Sequence, residues 1–350
     1  MQITTIGLDL AKHVFQVHAI DEVGQVVVRR SLRRKDLLSF FDKLPPCIVG
    51  IEACGAAHHW AREIGRLGHD VRMMPPAYVK PYVRRNKNDM TDAAAICEAV
   101  SRPSMRFVPV KSTEQQSVLM VHRARALLVR QRTMLANAIR GHLAEFGIII
   151  PLGINKVLEA VEHLFSQSKG PNSVEPLPEL VGLVLAPLAT SLHDLGARIK
   201  VLEVELMKWF RKSEVSRRLE TIPGLGFLTA TAIAATVPDA SVFRSGREFA
   251  AWLGLTPRQN SSGGKEKLGR ITKMGNHHIR TMLVLGATSV LRFAREEGSA
   301  KTDWIRRLQA KKPPKVVAVA LANKMARIVW AVMAKKEIYR VMPALLPMAA

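Results

Sequence analysis

Four acidic side chains occupy positions from which they could act together on a phosphodiester. Asp9 ends an apolar strand pattern near the N-terminus, and Glu52 ends the apolar run Ile48-Val49-Gly50-Ile51. Asp89 and Asp92 are three residues apart, which puts both on one face of a helix start. Converging carboxylates repel one another, and Mg²⁺, or Mn²⁺ in its place, favours such oxygen ligands. Two such ions about 4 Å apart can activate a nucleophile and stabilise a leaving oxygen.

Each acidic residue also has an ordinary structural interpretation. Asp9 could cap a turn, and Asp89 could cap a helix with Asp92 at its third position. A buried strand that ends in Glu52 is harder to explain by structure alone. The set therefore favours a metal site, with all four carboxylates as ligands.

A second candidate group is the polar stretch at residues 257–265, which contains Ser261 and Ser262. A serine hydroxyl here could act as a nucleophile beside cations that hold a phosphate. These cations are Lys265, Lys267, Arg270, Lys273 and Arg280. The alternative is a polar surface loop, which is what Ser/Gly clusters usually form, and no histidine or aspartate base stands at motif spacing.

A glycine-rich turn precedes this stretch. Ile222-Pro223-Gly224-Leu225-Gly226 is typical of a helix–hairpin–helix, in which free backbone N–H groups of the second helix bind phosphate. Gly224 and Gly226 are thus candidate nucleic-acid contacts. A simple helical turn with a glycine break is the other interpretation.

The first hundred residues alternate strand and helix patterns. Strands are predicted at residues 3–9, 14–20, 24–30, 47–52 and 69–74, and helices at 35–44, 56–67 and 89–101. A three-stranded meander followed by crossovers predicts a mixed sheet covered by helices. Together with the acidic residues, this order favours an α/β RNase H-like nuclease fold.

The middle of the chain is predicted to be long helices. Residues 112–146 contain no proline, and a second helix is predicted to begin near Ser191. Its apolar residues follow a coiled-coil spacing: Leu192, Leu195, Ile199, Leu202, Leu206 and Trp209. We expect the two helices to pair, within or between chains; an amphipathic helix buried in its own domain is the alternative. Residues 147–182 are predicted to be a linker with one short helix around 157–165.

Composition points to an anionic partner. The 350 residues carry a formal net charge of +23, with a pI of about 10.5, and 18 of the 52 basic side chains fall in residues 260–350. Such a balance is typical of nucleic-acid binding. Three cysteines without zinc spacing, and no signal peptide, indicate a reduced cytoplasm. No membrane span is expected, because Asn323, Lys324 and Arg327 interrupt the most apolar late stretch.

The joint pattern resembles a known family. The stretches Gly7-Leu8-Asp9, Gly50-Ile51-Glu52 and Asn88-Asp89-Met90-Thr91-Asp92 are similar to those of the insertion sequence 110 family of bacterial DEDD transposases. Residues 222–280, through Ser262-Gly263 and Gly275-Asn276, resemble that family's second domain. The resemblance covers most of residues 3–293.

The resemblance implies more than the residues show. It implies a RuvC-like N-terminal domain that binds Mg²⁺ through Asp9, Glu52, Asp89 and Asp92, and a serine, Ser262 or else Ser261, that becomes covalently joined to DNA. It also implies double-stranded DNA substrates, a guiding bridge RNA, and a homodimer that assembles to a homotetramer through the coiled coil. The metal site of one subunit would meet the serine of another, in the bacterial cytoplasm at the nucleoid.

Four regions follow from these patterns: an RNase H-like domain at 1–110, a helical coiled-coil arm at 111–218, a mostly α transposase domain at 219–300 with the helix–hairpin–helix-like turn, and a basic helical extension at 301–350.

Three other functions remain open. They are a hydrolytic RuvC-like junction nuclease, an actin-like ATPase or kinase, for which a second phosphate-binding glycine turn is missing, and a DNA-binding protein without catalysis.

Overall fold

Five strands form one mixed sheet in the first part of the chain. The computed structural model describes residues 2–83, 89–167, 177–265, 267–293 and 300–340, which divide into two units, Met1–Thr113 and Glu114–Ala350. The strands of the first unit are β1 (Thr5–Asp9), β2 (Val14–Ile20), β3 (Val26–Arg33), β4 (Ile48–Glu52) and β5 (Asp70–Met74). Their order is β3-β2-β1-β4-β5, with β1 antiparallel to β2 and parallel to β4. The predicted meander followed by crossovers is confirmed.

Helices cover both faces of this sheet. They are α1 (Leu37–Asp42), α2 (Ala57–Arg66), α3 (Pro76–Val79) and α4 (Asp89–Val100). Side chains alternate between the faces of a strand, so Ile6 and Leu8 point to one face, where Trp60 and Ile64 of α2 pack. Gly7 points to the other face, which α4 covers.

Gly7 permits a close approach between β1 and α4. A Cβ atom at this position would lie 2.1 Å from the Ala93 carbonyl oxygen and 2.4 Å from the Cys97 nitrogen. Both neighbours are backbone atoms, which cannot rotate away as a flexible side chain would. The helix therefore rests directly on the strand.

Gly7→Ala is expected to destabilise the protein by about 2–3 kcal/mol, because α4 must be displaced to make room for the methyl group. Gly65→Ala is the matched control: nothing lies within 4 Å of a Cβ there, and alanine is the better helix former. Urea unfolding measures both changes. Equal midpoints for Gly7→Ala and the wild type would contradict the packing of α4 on β1.

The second unit is mostly helical. Its helices are α5 (Thr113–Ala144), α6 (Ile154–Gln167), α7 (Glu179–Lys212), α8 (Glu214–Glu220), α9 (Phe227–Thr236), α10 (Gly246–Trp252), α11 (His277–Phe293), α12 (Ala300–Gln309) and α13 (Pro314–Lys335). Two short strands, β6 (Pro257–Gln259) and β7 (Leu268–Ile271), form a hairpin between α10 and α11. An N-terminal α/β sheet followed by a mostly helical region confirms the coarse fold prediction.

The long helices α5 and α7 lie side by side in opposite directions. Trp209 Nε1 donates to Glu114 Oε1 at 2.7 Å near one end, and Arg125 Nε donates to Glu203 Oε1 at 2.8 Å further along. The predicted stripe on α7 is the buried side, with Leu192, Ile199 and Leu206 at 1–3% exposure. The pairing occurs within one chain; the supercoil and the pairing between chains stay predictions.

The predicted start of α7 was wrong. The helix begins at Glu179 rather than near Ser191 and contains Pro187. Residues 147–182 are rich in proline and glycine, which usually interrupt helices, and this composition suggested a linker up to residue 182. Apolar side chains before the proline nevertheless join the core between α5 and α6: Leu185 is buried there, and Val181 packs against it. This burial offsets the lost hydrogen bond.

The last helix, α13, is a core helix of the second unit. Leu321, Met325 and Val329 are at most 1% exposed, within the cluster that also holds Phe249 and Leu283. By length and composition alone, α7 and α13 are apolar enough to cross a membrane. The burial of α13 among other helices explains its composition without a membrane, as the interruption by Asn323, Lys324 and Arg327 suggested.

Candidate active site

Two of the predicted carboxylates lie at the ends of adjacent central strands. Leu8 of β1 pairs with Ile51 of β4 in the parallel register. Asp9 and Glu52 are the next residues, so they end neighbouring strands at the same edge of the sheet. Adjacent strands are about 4.8 Å apart, which brings these two backbone positions together.

Asp9 and Glu52 also face the helix that carries the other two carboxylates. Gly7 and Gly50 contact α4, since a Cβ at position 50 would lie 2.8 Å from Val100 Cβ. Residues two apart on a strand share a face, so Asp9 and Glu52 point to the α4 side.

The direction of α4 brings its first turn toward the end of β1. Cys97 Sγ donates to the Thr5 carbonyl at 3.9 Å, and Ala93 lies against Gly7. The helix therefore runs antiparallel to β1, and its start points toward the edge where Asp9 lies.

The structure describes the positions of three of the four predicted metal ligands, Asp9, Glu52 and Asp92. Asp92 is half-buried on α4 with Oδ1 shielded from solvent, while the side chain of Asp89 lies outside the described residues. Among the side chains that the structure describes, no group of three His, Cys, Asp or Glu is close enough to hold a metal ion. The donor chemistry of Asp9, Glu52 and Asp92 suits Mg²⁺, and the ligand set stays a prediction.

Sequence patterns did not reveal the contacts that fix the sheet edge where Asp9 and Glu52 lie. Gly7 and Gly50 let α4 reach the sheet, and the signal was present as glycine within two apolar strands. On the opposite side, Lys111 N–H donates to His58 Nδ1 at 3.2 Å, and Arg62 Nη1 donates to the Lys111 carbonyl. These bonds attach the segment before α5 to α2.

The candidate serines lie on a hairpin rather than in a flexible loop. The pair Ser262 and Lys265 forms a bridge beyond β6 and β7, and Gly263 and Gly264 have φ of 56° and 77°. Two successive residues with positive φ define a type I′ turn, which is the tight turn that antiparallel strands favour. Ser262 is therefore exposed at the first position of an ordered turn.

The two serine hydroxyls differ in their contacts. Ser261 Oγ accepts a hydrogen bond from the Lys267 N–H at 3.2 Å, which ties it to the opposite strand of the hairpin. Ser262 is one residue closer to the tip, and its carbonyl accepts from the Lys265 N–H. The predicted phosphate-binding cations Lys265, Lys267, Arg270 and Lys273 are all exposed on or beside this hairpin.

Arg280 has a different role from the one predicted. It is 7% exposed, and its Nη1 donates to the Leu253 and Met274 carbonyls at 2.9 and 2.7 Å. A buried guanidinium bonded to backbone carbonyls holds the turn before α11 against the end of α10. This corrects the prediction that Arg280 binds phosphate.

Gly224 lies in close contact with α11. A Cβ at this position would lie 2.7 Å from Val290 Cγ2 and 2.8 Å from the Gly286 carbonyl oxygen, both on α11. Gly224 lets the turn pack closely on α11, and its nucleic-acid contact, which would be made by backbone N–H groups, stays a prediction. Gly226 begins α9 with open space around it and stays a candidate.

A buried histidine connects α5 to the helices around the hairpin. His122 is 2% exposed, and its Nε2 lies 3.0 Å from Thr231 Oγ1. The Thr231 hydroxyl donates to the Phe227 carbonyl, so His122 Nε2 must carry the proton and donate. Burial, with His278 and Arg125 nearby, lowers the pKa of His122 to about 4; burial also lowers the pKa of His278.

Stability should therefore fall in mild acid. The unfolded chain binds a proton at His122 near pH 6.5, whereas the folded chain resists it down to about pH 4. Between pH 7 and 5 this difference removes about 2 kcal/mol of unfolding free energy. His122→Gln keeps a donor for Thr231 and should flatten this dependence in urea unfolding, whereas His193→Gln, at an exposed position, should not. An unchanged slope in His122→Gln would contradict the assignment.

Comparison with known proteins defines the class of this chain as a DNA transposase. The family described as a DEDD transposase of the IS110 type matches residues 6–148, and the "Transposase IS116/IS110/IS902 family" matches residues 216–303. The chain belongs to the IS110 family of insertion-sequence transposases, enzymes that cleave and recombine DNA.

Full-length relatives agree with this assignment. A probable family 20 transposase of Pseudomonas aeruginosa is 48% identical over 97% of this chain and 99% of its own length. The transposase for insertion sequence element IS1111A of Coxiella burnetii is 40% identical over 97% and 92%. That for element IS1328 of Yersinia enterocolitica is 38% identical over 96% and 98%.

Proposed function

We propose that this transposase exchanges DNA strands through a covalent phosphoserine intermediate at Ser262, assisted by Mg²⁺ bound to Asp9, Glu52, Asp89 and Asp92. The observation that carries the proposal is the exposed Ser262 at the start of an ordered turn, on a hairpin surrounded by cations. A nucleophile must reach a phosphate on a large substrate, and a hairpin tip is an accessible position for it.

The chemistry is a balanced transesterification. Ser262 Oγ forms a bond to the scissile phosphorus, the bond to the 3′ oxygen breaks, and the serine proton ends on the released 3′ hydroxyl. The exchanging 3′ hydroxyl then attacks the phosphoserine and restores the serine. One phosphodiester replaces another, so rejoining needs no external energy source.

Each group of residues has a separate task in this scheme. Lys265, Lys267 and Arg270 hold the phosphate and stabilise its added charge in the transition state. The carboxylates hold Mg²⁺, which supplies charge stabilisation to the leaving oxygen when bound. The carboxylates of one subunit act with the serine of another, as the family resemblance implies.

The partners follow from charge and family. A net charge of +23 suits binding of double-stranded DNA and of a bridge RNA that selects the target. Assembly as a homodimer and then a homotetramer would use the α5–α7 arm. We expect the protein to act in the bacterial cytoplasm at the nucleoid.

The test is a denaturing trap for protein–DNA adducts in cells that carry the gene with its native flanking DNA. An adduct whose linked peptide contains Ser262 is the expected result. Mg²⁺-dependent breaks with a free 5′ phosphate and no attached protein would support the second candidate, a hydrolytic junction nuclease. That candidate needs only the carboxylates and water, and the juxtaposition of Asp9 and Glu52 favours it equally.

A further inference from the structure

A basic groove lies in the second unit between α10 and α13, and its lining residue Asn323 donates to the Leu255 carbonyl shortly before the hairpin that carries Ser262. It has a volume of about 810 Å³. Among the residues that the structure describes, its charged lining consists of the cations Arg247, Lys324 and Arg327. The other lining side chains include Trp304, Trp330 and Asn323. The matched family region ends at residue 303, before the helix that supplies two of these cations.

The groove is built from buried contacts rather than from loose surface side chains. A Cβ at Gly246 would lie 2.9 Å from the Arg327 carbonyl oxygen, so the first turn of α10 packs directly on α13. This contact brings Arg247 and Arg327 to the same groove. Trp330 Nε1 donates to the Ala240 and Phe243 carbonyls at 3.2 and 3.1 Å, which fixes the segment before α10.

The three cations remain able to bind an anion. Arg247 and Arg327 are exposed, and neither forms an ion pair among the residues that the structure describes. Lys324 Nζ lies 4.7 Å from the Trp304 ring centroid. This cation–π contact positions the ammonium group through electrostatic attraction and leaves its N–H donors available.

The surrounding charge favours a polyanion over a small anion. Residues 301–350 contain eleven basic and two acidic side chains, a net charge of +9. Exposed cations, among them Arg307, Lys311 and Lys315, continue along α12 and the start of α13. Successive cations along a groove match the repeating charge of a nucleic-acid backbone.

We propose that the groove lined by Arg247, Lys324 and Arg327 is a second nucleic-acid-binding site, which holds the phosphate backbone of DNA or RNA in addition to the cations of the strand-exchange hairpin. The inference deepens the proposed function, on which it rests for the choice of nucleic acid as ligand. Because none of its three cations is among the proposed catalytic residues, the groove should contribute to binding and not to the chemical step.

The experiment compares the full-length Arg247→Ala/Arg327→Ala double variant with the wild type. Fluorescence anisotropy measures affinity for a labelled 20-base-pair DNA duplex and for single-stranded RNA of the same length, from about 0.1 to 0.5 M salt. Losing two phosphate contacts should reduce the salt slope by about 1.8 on duplex DNA, or about 1.4 on single strands. These changes correspond to about 60-fold and about 25-fold weaker binding at 0.1 M salt.

Arg211→Ala/Lys212→Ala is the matched control, because it removes two exposed cations from the end of α7. It should leave the slope nearly unchanged. If the salt slope falls only for the DNA duplex, the groove binds DNA; if it falls only for the RNA, the groove binds RNA. If it falls for both ligands, the groove binds either backbone. An unchanged slope on both, or an equal loss in the control, overturns the proposal.

A second measurement needs no variant. Chemical acetylation of the wild-type protein should modify Lys324 several times more slowly when duplex or RNA is bound, with Lys212 unaffected. Equal acetylation of Lys324 with and without both nucleic acids would also overturn the proposal. Asp9→Asn protein should give the same protection, so failure of the strand-exchange proposal leaves this result standing.

Discussion

Asp9→Asn is expected to lower DNA strand cleavage by more than about a hundredfold while leaving the protein folded. Even residues that only orient metal ligands contribute about 10–100-fold to activity, and a direct ligand contributes more. Asparagine has the shape of aspartate, and Asp9 is half-buried at the end of a strand, so the sheet should form normally. Plasmid recombination with the native element ends measures the effect.

Binding of Mg²⁺ offers a separate readout for the same substitution. Wild-type protein should gain thermal stability as Mg²⁺ is added, because an ion bound to the folded state alone stabilises it. Asp9→Asn should lose most of this gain. Asp42→Asn, at an exposed position at the end of α1, is the matched control and should behave as the wild type in both assays.

Two outcomes would contradict the role of Asp9. Normal recombination by Asp9→Asn would remove it from the catalytic set. An Mg²⁺ response equal to that of the wild type would show that the ion binds elsewhere. A protein that is inactive yet responds fully to Mg²⁺ would mark Asp9 as needed for DNA or for packing against α4 rather than as a ligand.

The sheet could be predicted from the sequence because its information is local. The strands at Val14–Ile20 and Ile48–Glu52 are marked by continuous apolar or alternating residues and by the turns that bound them. The position of Asp9 beside Glu52 required only the parallel pairing of β1 with β4. Local pattern and tertiary pairing agree here, so the sheet edge that carries Asp9 and Glu52 could be predicted from the sequence.

The errors came from residues whose environment is set by distant contacts. The proline and glycine content of residues 147–182 suggested a linker, but α7 already begins at Glu179, and burial of Leu185 and its neighbours outweighs the hydrogen bond that Pro187 removes. Arg280 belonged by sequence to a basic run, and only the structure shows its guanidinium enclosed by the Leu253 and Met274 carbonyls. Charge composition gives the sign of a surface but cannot tell which cation is buried.

The hairpin at residues 257–271 was missed for a different reason. Ser261, Ser262, Gly263 and Gly264 have the composition of a loop, and the strands on either side are short and exposed. The consecutive glycines were the available signal, because a type I′ turn requires positive φ at both positions. Read as a hairpin, the same residues would have placed Ser262 at the start of the turn.

Ser262→Ala is expected to abolish both recombination and the covalent protein–DNA adduct, since the substitution removes the only oxygen that forms the proposed bond. Ser262 is exposed and alanine is compatible with its position, so folding should be unaffected. Ser261→Ala is the matched control. It loses the hydrogen bond from the Lys267 N–H, worth about 1 kcal/mol to the hairpin, and should retain the adduct at reduced yield.

Together, the Ser262→Ala and Ser261→Ala variants identify the nucleophile. Loss of the adduct in Ser261→Ala with its retention in Ser262→Ala would move the nucleophile by one residue, to the hydroxyl that now accepts from Lys267. Recombination by both single variants would exclude a serine intermediate. The carboxylates Asp9, Glu52, Asp89 and Asp92 would then have to activate water to cut the DNA, and Asp9→Asn should lose the breaks with free 5′ phosphates together with recombination.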